Sequence, residues 1–279
     1  MVLAQLRNEL WKLFGKKRTY MGFAAFLVVQ TVMLLMFKYT RWQGQVERLL
    51  AGNGYLASDY ISALTVAVVM LTPQVLLLLP LYVALVGGDM VAKEAEDGTL
   101  RMILSRPISR TRLLLVKWFA GILFSTVLVL ALGVIALCFA RLVFPWKGMF
   151  VFAPMRSTFG VFDSGEGMFL YSFSLLFVAA NAIAQLSVAF MFSCFNIKPA
   201  AATILALSYL FMNMVLENIP FFEPYQNWFV THHFDCWLLV FHTPTPWSEI
   251  LQSELILLAI SSTAFVIGST AFLVRDIKS

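Results

Sequence analysis

The chain has 279 residues, of which 60% are hydrophobic and only 13% charged, with a formal net charge of +5 and a mean hydropathy of +0.83. Soluble domains carry roughly 25% charged residues, so this composition excludes an ordinary soluble enzyme and describes an integral membrane protein. The basic residues lie at the ends of apolar runs rather than in one stripe, which excludes a nucleic-acid surface and makes them topology signals. Cys138, Cys194 and Cys236 fall in or beside different apolar segments and form neither a CxxC pair nor a disulfide framework.

From Val2 to Phe14, Val2, Leu3, Leu6, Leu10, Leu13 and Phe14 gather near one helical face, with Arg7, Glu9 and Lys12 away from it. Residues 1–19 therefore predict a helix lying on the membrane surface. Lys16-Lys17-Arg18 ends it, and the uncharged run Tyr20 to Phe37 follows, long enough for a hydrocarbon core that takes about 20 residues. A basic stretch before an apolar run is also a signal-peptide signature. Here the run leads into Lys38-Tyr39-Thr40-Arg41-Trp42 and not into a small-residue cleavage site, so an uncleaved anchor is expected. The second run, Tyr60 to Gly87, contains Pro73 and Pro80, and proline inside a span removes a backbone hydrogen bond and bends the helix. Gln74 sits at that bend.

Residues 88–112 then form a charged island containing Asp89, Lys93, Glu94, Glu96, Asp97, Arg101, Arg106, Arg110 and Arg112. A charge at the bilayer centre costs about 2.5 to 3.5 kcal/mol on insertion scales, so the island is expected to face water. After Gly88, the residues Val91, Ala92, Ala95, Leu100, Ile103 and Leu104 give a less polar face, as in a short amphipathic helix. Gly98 with Thr99 is expected to end that helix and cap a second one, Arg106-Pro107 to force a turn, and Ser109 to cap the next span. A solvated helix, turn and cap held between two spans can carry force; the plainer alternative is a solvated loop.

The run Glu94-Ala95-Glu96-Asp97-Gly98-Thr99-Leu100, followed by Leu104-Ser105-Arg106-Pro107-Ile108-Ser109-Arg110 and by Leu114 to Lys117, resembles the cytoplasmic loop of ABC-2 type transporter permeases. The likeness is closest to six-span subunits that pair with a separate ATPase chain. It lies in an E-x-E-x-G-T-L segment and a P-x-S-R segment leading to a lysine in the next span. The resemblance implies that Glu94, Glu96, Gly98, Thr99 and Arg101 belong to a coupling helix that docks on the ATP-binding subunit, with Arg106, Pro107, Ser109 and Arg110 shaping the turn beside it. It also implies an interfacial elbow helix at 1–19 and re-entrant outer helices at 217–250.

The third run, Leu113 to Ala140, carries only Lys117, which is expected to snorkel to water. Leu142 to Gly167, with Pro145, Lys147, Pro154, Arg156, Asp163 and Glu166, reads as an extramembrane loop. The fourth run, Met168 to Phe195, holds Asn181 and Gln185 one turn apart; the fifth, Pro199 to Leu216, holds Asn213; the sixth runs from about Leu251 to Val274. Gln74, Asn181, Gln185 and Asn213 either line a substrate path or bond to neighbouring helices, a common role worth about 0.6 kcal/mol. An all-α protein with six spans in a single 1–279 domain is expected. Fourteen Lys or Arg fall on the side of the termini and the island and six on the other, so both termini and the island are expected to be cytoplasmic.

Residues 217–250 contain no Lys or Arg and are crowded with Phe, Trp, Tyr and Pro, a composition suited to the membrane interface and to short half-inserted helices. His232, His233, Asp235 and Cys236, with His242, are the residues a metal would use, His232 and Cys236 sharing a face if helical. Interfacial histidines are more often amphipathic anchors and no further ligand cluster completes a four-coordinate site, so no metal is expected. The chain has no Walker sequence, nucleophile elbow or glycine-rich phosphate loop, so it is expected to be non-catalytic, with ATP and Mg²⁺ bound by a partner ATPase subunit. Six spans are few for a closed path, so a homodimer carrying two ATPase subunits in the plasma membrane is expected. Export of an unidentified substrate follows from the resemblance alone. The alternatives are a membrane anchor or mechanical transducer without transport, and a metal-dependent membrane hydrolase.

Overall fold

A computed structural model describes residues 2–105, 108–156 and 158–274. Helix α1 (Val2–Gly15) lies across the start of the bundle, and α2 (Lys17–Tyr39) is the first span. An amphipathic helix α3 (Arg41–Gly52) and a single turn α4 (Ala57–Tyr60) lead to the second span. That span consists of α5 (Ala63–Pro73), a π-helical turn (Gln74–Leu78) and α6 (Leu79–Glu96). Helix α7 (Thr99–Leu104) is the second half of the island, and α8 (Arg110–Val143) is the third span. Strands β1 (Met149–Ala153) and β2 (Thr158–Phe162) form a hairpin before the fourth and fifth spans, α9 (Ser164–Ser193) and α10 (Pro199–Glu217). Two 3₁₀ helices (Pro220–Trp228 and Val230–Asp235) and α11 (Cys236–Leu239) precede the sixth span, α12 (Trp247–Val274).

Among the described residues six helices are long and apolar enough to cross a membrane, as the hydropathy pattern requires. The all-α fold is thus observed with one addition, since the stretch read as a loop contains the antiparallel hairpin, in register from Met149 opposite Phe162 to Ala153 opposite Thr158. Its aromatic and β-branched residues suit a pleated surface, and it is seated by the Phe150 amide donating to Thr65 Oγ1 at 2.9 Å.

The fourth span is the centre of the bundle. In its most apolar stretch 67% of residues are buried, against 22% to 28% for the first, fifth and sixth spans; those three keep free apolar faces. Two adjacent glycines let α6 cross the neighbouring spans closely. A Cβ on Gly87 would lie 2.8 Å from Ala189 Cβ, and one on Gly88 would lie 3.0 Å from the Thr203 amide nitrogen, both too tight for a side chain. Neutral hydrogen bonds complete the packing: Tyr171 Oη donates to Gly133 O at 2.7 Å and Trp118 Nε1 to Ser187 Oγ at 2.9 Å.

Where the second span was expected to bend, directly after Pro73, its α-helix gives way to the π turn. Gln74 is buried there, donating to Met70 O at 2.8 Å and accepting from Gln30 Nε2 at 3.4 Å. The same Gln30 nitrogen reaches Leu132 O at 3.0 Å, so these amides join the first three spans where the π turn loosens the helix ladder.

Candidate functional site

The island departs from its expected form first in that its first half is no separate helix. Helix α6 runs without interruption through Gly87 and Gly88 to Glu96, so the charged segment is a rigid extension of the second span. It ends at Gly98, whose φ of +73° is left-handed and favours glycine. Gly98 serves as N-cap of α7. Thr99 does not cap; its hydroxyl donates back to Glu94 O at 3.3 Å. Leu100 is buried and anchors the apolar side of α7. Ser109 caps α8 as its position predicts, its Oγ accepting from the Arg112 amide at 3.4 Å. Arg106 and Pro107 lie outside the described residues.

Within this segment not every charge faces water. Lys117 is 1% exposed, and instead of snorkelling its ammonium lies 2.8 Å from Glu9 Oε2 and 2.8 Å from Glu94 Oε1. Lys12 pairs with the same two carboxylates, at 2.7 Å to Glu9 and 3.0 Å to Glu94. Asp89 is also buried and accepts from Arg18 at 2.7 Å. Burying a charge is expensive unless an opposite charge and hydrogen bonds replace water, and the alternation Lys12, Glu9, Lys117, Glu94 supplies both. Burial alone would push Glu9 upward; the Lys117 and Lys12 ammonium groups outweigh it and hold Glu9 below the usual carboxylate value. Burial likewise works against the charge on Lys12, yet Glu9 and Glu94 raise it. Further along α6, Ser193 Oγ accepts from the amides of Val91 and Ala92, each at 2.9 Å.

The extension is therefore tied to α1, to the start of α2, to α8 and to the end of α9. Glu9, Lys12, Arg18 and Ser193 escaped the sequence reading of this site. The Glu9 to Lys12 spacing on the polar face of α1 was visible, but nothing local points to partners at positions 94 and 117. Glu94 is turned inward. Glu96, Asp97 and Arg101 are exposed, with Lys93 bridging Glu96 at 2.8 Å and Asp97 at 3.1 Å. Arg110, at the start of α8, reaches Leu273 O at 3.4 Å. A cleft of about 480 Å³ opens between α1, α6 and α7, with Trp11, Lys16 and Ile103 on its walls.

The island is thus a charged extension of one span, tethered to its neighbours. The family described as "ABC-2 family transporter protein" matches residues 6–234, well over half the chain. The chain belongs to this ABC-2 family. It is a membrane permease subunit of an ABC transporter, multi-pass, in a family that pairs with an ATP-binding subunit. No curated protein matches it.

At the opposite end of this ABC-2 permease the amides hold the aromatic segment. Asn181 Nδ2 donates to Phe234 O at 2.7 Å. Asn213 accepts from the Val230 amide at 3.3 Å and donates to Tyr209 O at 2.8 Å. The structure thus brings Asn181 and Asn213 onto one element, the 3₁₀ helix Val230–Asp235. Gln185, one turn from Asn181, is buried with its Oε1 unpaired among the described residues.

The histidines and their neighbours are dispersed among separate partners. His232 Nδ1 lies 3.0 Å from Glu217. His233 uses both ring nitrogens, at 3.1 Å from Ser253 Oγ and 3.0 Å from Asn227 O, and burial pushes its pKa down. Asp235 faces Arg156 at 4.0 Å, with burial pushing its carboxyl up. Cys236 Sγ donates to Glu254 at 3.3 Å, and burial raises that thiol. His242 Nε2 lies 2.7 Å from Thr158 Oγ1 and 3.0 Å from Arg156 O. Among the described residues no group of three or more His, Cys, Asp or Glu is placed to hold a metal ion. Arg156, which also donates to His232 O, locks the hairpin onto the aromatic segment.

Proposed function

We propose that the chain couples ATP hydrolysis in a partner subunit to export of a substrate across the plasma membrane, as one half of a homodimer carrying two ATPase subunits. The observation that carries this reading is the continuity of α6 with the island. A push on Glu96 is delivered directly to the second span, one on Arg101 through the short turn at Gly98, and both through the ion pairs of Glu94 to α1 and α8. In this reading Glu96, Gly98, Thr99 and Arg101 form the docking surface, Arg106, Pro107, Ser109 and Arg110 the turn beside it, and Glu94 the tether behind it. The partner holds ATP and Mg²⁺. The subunit itself moves and does no chemistry. The basic-residue count supports an island and termini on the cytoplasmic side. The free apolar faces of the first, fifth and sixth spans leave room for a second copy.

The test is to co-express the subunit with its ATPase and compare Glu96→Ala with Arg101→Ala in the double variant. We expect the complex to be lost or its ATP turnover to become insensitive to the membrane subunit, with the six spans still inserted. Labelling of a cysteine at Ser105 only after permeabilisation, and of one at Thr245 in intact cells, checks the orientation. Normal assembly and normal regulated turnover in the double variant would sink the coupling assignment and leave a membrane anchor.

A further inference from the structure

Ser193 is the last residue of α9 and is fully buried, and the route through Glu94 makes no use of it. Its Oγ accepts from the amides of Val91 and Ala92, each at 2.9 Å. Both amides lie inside α6 and not at its end, where the α-helical ladder assigns them to the carbonyls of Gly87 and Gly88. A side-chain oxygen that takes a share of interior amides weakens the ladder at that point, and two adjacent glycines, poor helix formers, weaken it further. Neither glycine can give way to a stiffer residue, since a Cβ on Gly87 would meet α9 and one on Gly88 would meet α10. The junction between the second span and its charged extension is therefore where α6 is least able to hold its own direction, and the hydroxyl of α9 holds it instead.

We propose that Ser193 is a positioning residue for coupling, which fixes the angle of the extension and passes the movement of the island to the fourth span. The inference rests on the coupling reading and adds a second route to it. Glu94 leads only to α1 and α8, on the island's own side. Ser193 leads across the membrane, because some three turns back along α9, about 18 Å away, Asn181 donates to Phe234 O of the aromatic segment at 2.7 Å. One helix thus touches the island at its end and anchors the outer segment along its length. It is also the most buried of the six spans, and close-packed elements transmit displacement and do not absorb it. Burial by itself does not call for a partner in α6. Two other buried serines of the same helix, Ser174 and Ser187, donate back to Tyr171 O and Ile183 O, each at 2.8 Å, whereas Ser193 takes its amides from the element that carries the island.

The experiment uses the full-length chain in complex with its ATP-binding subunit, and reads hydrogen exchange with and without ATP. Wild type is expected to show an ATP-dependent change in exchange at Phe234; its absence would overturn the proposal. Ser193→Ala leaves both amides their ladder carbonyls, so membrane insertion and affinity for the ATP-binding subunit should be unchanged. Exchange at Val91 and Ala92 should rise about fivefold, the net worth of one hydrogen bond, and the response at Phe234 to ATP should be lost. Ser193→Cys, whose sulfur is a weak acceptor, should fall between the two, which keeps the idea testable if Ser193→Ala fails to fold. Thr203→Val changes the packing against Gly88 without touching either amide and should behave as wild type. Faster exchange at Val91 and Ala92 with the response at Phe234 intact would make Ser193 a local support and overturn the proposal, as would an equal loss in Thr203→Val. The double variant Glu96→Ala with Arg101→Ala separates the two readings in the same assay. If it loses the response while Ser193→Ala keeps it, coupling stands and Ser193 does not transmit; if it keeps the response, both readings fall.

Discussion

The two ends of this permease are held together by different chemistry. At the island end, Glu9, Lys12, Glu94 and Lys117 concentrate the attachment of α1, α6 and α8 in one cluster of full charges. At the hairpin end the aromatic segment is fixed by neutral side chains that meet backbone groups, Asn181 to Phe234 O and Asn213 to the Val230 amide, by buried rings such as Trp237 and Phe241, and by separate charge contacts that share no partner, Arg156 with Asp235 at 4.0 Å and His232 with Glu217 at 3.0 Å. Full charges are costly to orphan, because the remaining partner stays buried without compensation. Neutral bonds are cheap individually, and apolar burial is spread over many atoms. The island end is therefore stiff until one member is removed, while the hairpin end yields in small steps.

Lys117→Met is the hardest test of that contrast. It leaves Glu9 and Glu94 sharing Lys12 alone and is expected to destabilise the detergent-solubilised protein by about 3 to 5 kcal/mol, read as a large fall in melting temperature and earlier proteolysis of α1. Gly98→Val comes next: a β-branched residue at φ +73° costs about 1 to 2 kcal/mol and should tilt α7, measured as weaker ATPase-subunit binding with the spans intact. Asn181→Leu at the other end should cost only about 0.6 kcal/mol, detectable as faster hydrogen exchange at Phe234. A loss equal to that of Lys117→Met would erase the comparison.

Acidification should separate the ends in order. The folded pKa of His233 is lowered from 6.5, so its contribution is present above 6.5 and begins to be lost as pH falls below it. Glu9 is lowered from 4.5, so the ion cluster holds above 4.5 and is lost only as pH falls through the lower folded value. Asp235, raised by burial, works in the opposite sense and blunts the first step. Hydrogen exchange across this range should show the aromatic segment loosening before α1, and simultaneous loosening would contradict the assignment. Asp97→Ala should have the smallest effect, since its exposed pair with Lys93 is screened by solvent.

The six spans were legible in the sequence because hydropathy over about 20 residues is a local property. So were Gly98 as a helix end and Ser109 as a cap, whose chemistry acts within three or four residues. The ion cluster was not, because Lys117 meets a residue 108 positions away and Lys12 one 82 away; a hydropathy argument places a charge at the water's edge and has no means to pair it. Asp89 was misread for the same reason. The hairpin was hidden by Pro154, Arg156 and the glycines, which signal a loop as strongly as a turn. For Asn181 and Asn213, polarity at depth was visible, but the element they hold was not.

The π turn at Gln74–Leu78 divides the second span into two levers. Above it, α5 is fastened to the hairpin through Thr65; below it, α6 is fastened to the ion cluster through Glu94. A π turn contains one residue more than an α turn, so converting it to α would turn one half of the span against the other by about 100° and shift it by about 1.5 Å. Gln74, whose amide donates from the start of this turn to Met70 O in α5 and accepts from the first span, stands where such a gear would engage or slip.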